Sequence, residues 1–437
     1  MARSFGQGFE QLEERSLLAA SVTATLIGDT LVITGDASDN SIDVHGVGLD
    51  GSVEVSVAGA GQTLKVNGGT AADETDGTFA GVRHISIWSN GGNDEITVSD
   101  IHIGGNLTAN GGWGTDAIEL KAVHFDTYIG GAVVLNGGGG TDDRIEIALQ
   151  AKSSSDLTIG AGMALSTWGG AGEMLIEADG YGTIAIGGGV LMNEFSGLGD
   201  YGSAEIRSGY GNVAISKSVV LNGGLGSDQL RMIADYGLAY GGDKTGISIG
   251  GCVLMSGGWG DDELSVAAYG FYGKVAHVED NISIAGNVQM LGGIGNDVMQ
   301  VSGVMANVSI HGTLNQLGGI GADAIENSSA GHERHVLIGG WLHAEGGWGD
   351  DWIDTYGLVV QSGAVILGGP GNDDIGFESN QMHGDVLLIG GAGNDNFHIR
   401  DNVIGGDLVI CGGIGVNFVH LNGNQVSGDT YEIHVKH

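Results

Sequence analysis

Proline occurs once in this chain of 437 residues, cysteine twice, and lysine and arginine together only 15 times. Each scarcity excludes something. Fifteen basic residues against 53 acidic ones leave a formal net charge of −38, which repels phosphate backbones and anionic headgroups and attracts cations. Nucleic acid is therefore not expected as a partner, and membrane surfaces are poor ones. No run of eighteen apolar residues exists, so no helix here is long enough to span a bilayer. The first twenty residues lack the basic start and long apolar centre of a secretory signal and carry Glu10, Glu13 and Glu14. Glycine is what the chain has in excess, with 87 residues beside an apolar content of 41%. That content is too high for a disordered glycine-rich linker, so glycine must serve some repeated order.

The repeat is visible directly. Nine segments read Gly-Gly-x-Gly-x-Asp, beginning at Gly111, Gly137, Gly223, Gly257, Gly292, Gly318, Gly346, Gly368 and Gly390. Degenerate copies begin at Ser89, Gly169, Ser196 and Gly412, and weaker ones at Gly35 and Gly68, giving fifteen copies spaced 21 to 35 residues apart. Apolar residues alternate on both sides of each turn, the pattern of strands with one buried face. Seven positions after the first glycine stand Ile118, Ile176, Leu230, Leu264, Ile325, Ile353, Ile375 and Phe397, and four before it Leu107, Val133, Val253 and Val288. The copy at Gly137 slips by one, to Ile145.

Units this short cannot bury an apolar face alone and must stack. The fold expected is all-β, a right-handed parallel β-solenoid of about fifteen coils, on the order of 70 Å long at about 4.8 Å per coil. Each 22-residue coil is expected to hold two strands, and coils of 26 residues or more a third. Residues 21–437 read as one solenoid domain. Residues 1–20 read either as a leader or as an amphipathic cap. Cys252 and Cys411 stand six coils apart, too far for a disulfide within one chain.

The Gly-Gly-x-Gly-x-Asp-x-apolar turn resembles the calcium-binding nonapeptide of the repeats-in-toxin (haemolysin-type) proteins, best at Gly368 to Ile375 and Gly390 to Phe397. The resemblance implies that Ca²⁺ is clasped by Asp116, Asp142, Asp228, Asp262, Asp297, Asp323, Asp351, Asp373 and Asp395 with turn carbonyls. It covers the turn and not the period, since that family repeats every nine residues. Without a metal, the same aspartates would accept hydrogen bonds from their own turns. The segment Phe9 to Ala19 resembles the LEPRxLL-type leader of large exported planctomycete proteins, which implies an extracellular or cell-surface location.

Two further features remain open in the sequence. The third motif position reads Trp113, Gly139, Ala171, Leu198, Leu225, Trp259, Ile294, Ile320, Trp348, Pro370, Ala392 and Ile414. This column is either corner core or, if it points outward, a lateral contact strip. Acid pairs such as Asp261-Asp262 and Asp350-Asp351 recur at the same turn position, whereas a catalytic pair occurs once. His332, Glu333, Arg334, His335, His343 and Glu345 form the one singular polar cluster, read as a solvated loop. His398 and His420 should stack on an outward face. The function expected is a non-catalytic, exported, acidic scaffold of a cell surface, fibre or adhesive, stabilised by Ca²⁺ and associating with itself, with other surface components or with polysaccharide. The alternative is a carbohydrate-active β-helix enzyme of the lyase or epimerase type, which would need basic residues gathered near an acidic polymer.

Overall fold

The computed structural model describes residues 21–58, 62–67, 75–151, 153–195, 197, 200–235, 246–270, 282–330 and 335–436. Short strands alternate around three faces and pair in register with their counterparts one coil on, giving sheets of 17, 16 and 13 strands. The first sheet runs from Thr30–Thr34 through strands such as Leu107–Gly114, Ala364–Pro370 and Val386–Ala392 to Thr430–Ile433. Apart from Ser21–Ile27 and Thr63–Val66 at its N-terminal end, it is one parallel ladder of fifteen strands. The second sheet includes Asp374–Glu378 and Asn396–Arg400, and the third Gln381–Met382 and Val403–Ile404. The chain is a parallel β-solenoid.

Alternation along each strand turns every second side chain inward, and the coil-to-coil register stacks those side chains in columns. Leu342, Ala364, Val386 and Leu408 form one column, and Ile353, Ile375, Phe397 and Val419 another, all at most 1% exposed. Leu107, Val133, Val253, Val288 and Ile325 are buried in the same columns, as the repeat predicts. Burial of each such side chain is worth roughly 1.5–3 kcal/mol. Both cysteines are free thiols.

Three expectations need correction. Even the 22-residue coils have a third strand, two residues long, as in Val359–Val360, Gln381–Met382 and Val403–Ile404. A coil must close a third side to enclose its core, and one inward residue per coil, Val360, Met382 or Ile404, suffices. Ile176 is buried but stands one inward position beyond its assigned column, because Met174 pairs with Ile145. The expectation of parallel pairing throughout 21–437 also fails at the N-terminal end. Ser21–Ile27 lies antiparallel on Thr30–Thr34, and Val53–Val57 antiparallel on Ser41–Gly46. The cap or leader expected at 1–20 and the copy at Gly68 lie outside the described residues.

Candidate functional site

The Gly-rich turns join the first sheet to the second. In most of them the glycines at the second and fourth motif positions take left-handed backbone angles, φ 121° at Gly391 and 151° at Gly393, which side chains other than glycine adopt only under strain. The turns also stack without room, for a Cβ built on Gly393 would lie 1.5 Å from the Gly371 carbonyl oxygen. This turn backbone folds the sixth-position aspartate into the corner, where Asp116, Asp228, Asp262, Asp297, Asp323, Asp351, Asp373 and Asp395 are at most 2% exposed.

These aspartates are not self-capped. Apart from Asp228, whose counterpart is Gly202, each Oδ1 accepts a hydrogen bond from the backbone N–H of its counterpart one coil earlier: Asp297 from Asp262 at 2.9 Å, Asp323 from Asp297 at 2.8 Å, Asp351 from Asp323 at 2.8 Å and Asp373 from Asp351 at 3.0 Å. Asp228 accepts from its own turn, at the Gly224 N–H. The second oxygens of Asp94, Asp116, Asp143, Asp262, Asp297, Asp323, Asp351, Asp373 and Asp395 are buried with no hydrogen-bond partner. They lie against the first motif glycine: a Cβ on Gly368 would sit 2.3 Å from Asp373 Oδ2 and 2.5 Å from the Gly390 carbonyl oxygen of the next coil.

The column is longer than the motif and differs from the predicted residues in places. Asp142 is not in it. One extra residue in that turn puts Asp142 outside at φ 59°, and Asp143 takes the inner place, its Oδ1 accepting from the Asp116 N–H at 3.0 Å. The signal was present in the slipped Ile145, because the inner aspartate stands two residues before the buried isoleucine. Asp94 also belongs, accepting from the Asn40 N–H at 2.7 Å, and amides terminate the described column at Asn40 and Asn417.

Two coils between Asp143 and Asp228 exchange the positions. Thr167 and Glu194 stand in register at the first motif place, and Gly172 and Gly202 occupy the aspartate place. Both polar side chains are fully buried, and a Cβ on Gly172 would lie 2.3 Å from Thr167 Oγ1. Apart from the coil of Ser89 and Asp94, which fills both places, the corner holds one polar side chain per coil, supplied from either strand. Degenerate copies assigned to Gly169 and Ser196 therefore begin two residues earlier in the structure.

Burial pushes the carboxyls of Asp116, Asp262, Asp323 and Asp373 up to about 7, and those of Asp143 and Asp297 to about 6. The accepted N–H bond opposes the shift and neighbouring carboxylates add to it. Burial raises Asp94, Asp351 and Asp395 as well. Two unit charges about 4.8 Å apart repel by roughly 3 kcal/mol at an effective dielectric of 20.

Calcium takes roughly six to eight oxygens at about 2.3–2.6 Å. Here Oδ1 is committed to an amide, and each gap offers one remaining carboxylate oxygen and one glycine carbonyl, packed against a Cα. The column does not fit calcium as the toxin-repeat resemblance implies.

Outside the column, the third motif position faces solvent. Trp113 is 77% exposed and Ile414 79%, with Trp259, Ile294, Ile320 and Trp348 also exposed. In register with them stand Trp168 and Phe195, whose rings lie 4.4 Å apart, rather than Ala171; Leu198 lies outside the described residues. The acid pairs split between inside and outside, as Asp262 and Asp351 are buried whereas Asp261 and Asp350 accept or face outward at the turn surface. Lys121, Arg144, Arg207, Arg231 and Arg400 lie on the outer face of the second sheet and pair with Glu119, Glu146, Glu177, Glu263 and Glu378. His332, Glu333 and Arg334 lie outside the described residues. His335 and His343 bond to Asn307 and Asn315, and His398 stacks on His420 with ring centroids 5.3 Å apart. No protein family, curated protein or solved structure matches the chain.

Proposed function

We propose that the chain is a non-catalytic structural rod, an exported component of a cell surface, fibre or adhesive layer. The observation that supports this best is the outward strip of apolar third-position residues running along successive coils. On a chain of net charge −38 the strip carries no charge, and it includes Trp113, Trp168, Trp259 and Trp348. Contiguous exposed apolar surface of this kind marks contact with other macromolecules. The recurrence of acidic side chains in register supports the same reading, because repetition is what a scaffold needs and a single reaction centre does not.

Light scattering and electron microscopy across micromolar protein concentrations test the proposal, alongside turnover assays on acidic and neutral polysaccharides. Concentration-dependent assembly or polysaccharide binding without turnover is expected. Cleavage or epimerisation of a polysaccharide would replace this reading with the enzyme one.

A further inference from the structure

We propose that the buried carboxyl column is a proton ladder: each inner aspartate whose Oδ2 has no other partner, that is all but Asp228, is a neutral acid whose Oδ2–H donates to the first-position carbonyl of the next coil. The argument rests on what stands in the same slot elsewhere. Ser89 replaces the first glycine in its coil, and its hydroxyl donates to the Gly111 carbonyl at 2.6 Å, the carbonyl that would face Asp94. At the other end Asn417 replaces the aspartate, and its Nδ2 donates to the His434 carbonyl at 3.3 Å. A Cβ on Gly412 would lie 2.5 Å from that Nδ2 and 2.3 Å from that carbonyl oxygen. Gly368 stands in the same relation to Asp373 Oδ2 and the Gly390 carbonyl, at 2.3 and 2.5 Å. At these two ends of the column the slot holds a donor bonded to the next coil's carbonyl, whereas the Thr167 hydroxyl stands in it without a hydrogen-bond partner.

The corner between the second and third sheets repeats the lesson with amides. Asn380 and Asn402 each accept a backbone N–H through Oδ1, from Leu358 at 3.0 Å and Asn380 at 2.9 Å. Their Nδ2 groups donate to the Thr355 and Phe377 carbonyls. A protonated aspartate reproduces that donor and acceptor pair; an ionised one sets a charged oxygen against a carbonyl oxygen. The groups facing each inner aspartate are the column neighbours above and below it and the outer Asp39, Asp142, Asp261 and Asp350. Apart from the terminal amides Asn40 and Asn417 and the exchanged coils of Thr167 and Glu194, these neighbours are carboxyls, and none of them is a cation that offsets ionisation. Burial raises the carboxyls of Asp116 and Asp323 to about 7 and those of Asp143 and Asp297 to about 6.

The sign follows from linkage. The folded column binds protons that the unfolded chain releases above its ordinary carboxyl range, so its contribution is complete below that range, falls as pH rises above it, and is fully lost once pH passes the folded values of about 6 to 7. The rod is thus held most firmly at acidic pH and has loosened by the time neutrality is passed, whatever its partners. The test is denaturant unfolding of the full chain from pH 5 to 8.5, for the parent and for Asp262→Asn/Asp323→Asn/Asp373→Asn, with the infrared carbonyl stretch of protonated carboxylic acid read on the folded proteins. The parent midpoint should fall as pH rises, the triple variant should fall less and exceed the parent at pH 8.5, and the acid band at pH 5.5 should weaken in the variant. A parent midpoint that is flat or rises over this range would overturn the proposal. So would an acid band unchanged in the variant, or Ca²⁺ at pH 7 stabilising the parent and not the variant.

Discussion

Exchanging the two corner positions in one regular coil tests the one-side-chain-per-coil rule. In Gly368→Thr the new Cβ falls 2.3 Å from Asp373 Oδ2 and 2.8 Å from Asp373 Cβ, an overpacking that costs about 1–3 kcal/mol or more. Asp373→Gly removes the acceptor of the Asp351 N–H, 3.0 Å away. A buried donor left unpaired costs about 1–3 kcal/mol, and glycine within a strand about 0.5–1 kcal/mol more. The double variant places threonine and glycine as Thr167 and Gly172 already stand. It still lacks the carboxyl acceptor, so recovery is partial. Relief of the clash should make the double less destabilised than the sum of the singles by about 2 kcal/mol, the coupling expected of groups in contact. Denaturant unfolding of all four proteins, with unchanged slope as the check that the cycle is valid, measures it. Additivity within about 0.5 kcal/mol would refute the rule.

Other outcomes follow from the same geometry. Gly393→Ala combines φ 151° with a Cβ 1.5 Å from the Gly371 carbonyl, so the neighbouring turns must part; a loss of about 3 kcal/mol or more in unfolding free energy is expected. Thermal unfolding at pH 5.5 in chelator and in millimolar Ca²⁺ should give the same Tm, because the column lacks the oxygens to hold the ion. Replacing the exposed Trp113, Trp259 and Trp348 by serine should abolish concentration-dependent assembly in light scattering while shifting Tm by little, since none of the three is in the core.

The solenoid was legible because its code is redundant: period-two alternation, glycine at each turn and fixed spacing to Ile353, Ile375 and Phe397 all specify one stack. Position inside the turn was less legible. The direction of Trp113 depends on the φ of the flanking glycines, which allow either orientation. Asp142 and Asp143 are adjacent and chemically alike, and only the offset of Ile145 separates them. Thr167 and Glu194 escaped because their role is defined by an exchange with Gly172 and Gly202 across the corner, a relation of space rather than of motif. The Oδ1 ladder escaped because its donor lies 22 to 35 residues away, whereas local reasoning about aspartate turns looks two residues along.

Counting protons released on unfolding tests the neutral column most directly. Calorimetric unfolding at pH 5.3 in buffers of different ionisation enthalpy gives that count for the parent and for the triple variant Asp262→Asn/Asp323→Asn/Asp373→Asn. All three carboxyls are pushed to about 7 in the fold, so each is protonated at that pH when folded and ionised when unfolded. The parent should release about three more protons than the variant. Equal release from the two proteins would mean that the column is ionised in the folded rod, and the account of how this corner is held together would be wrong.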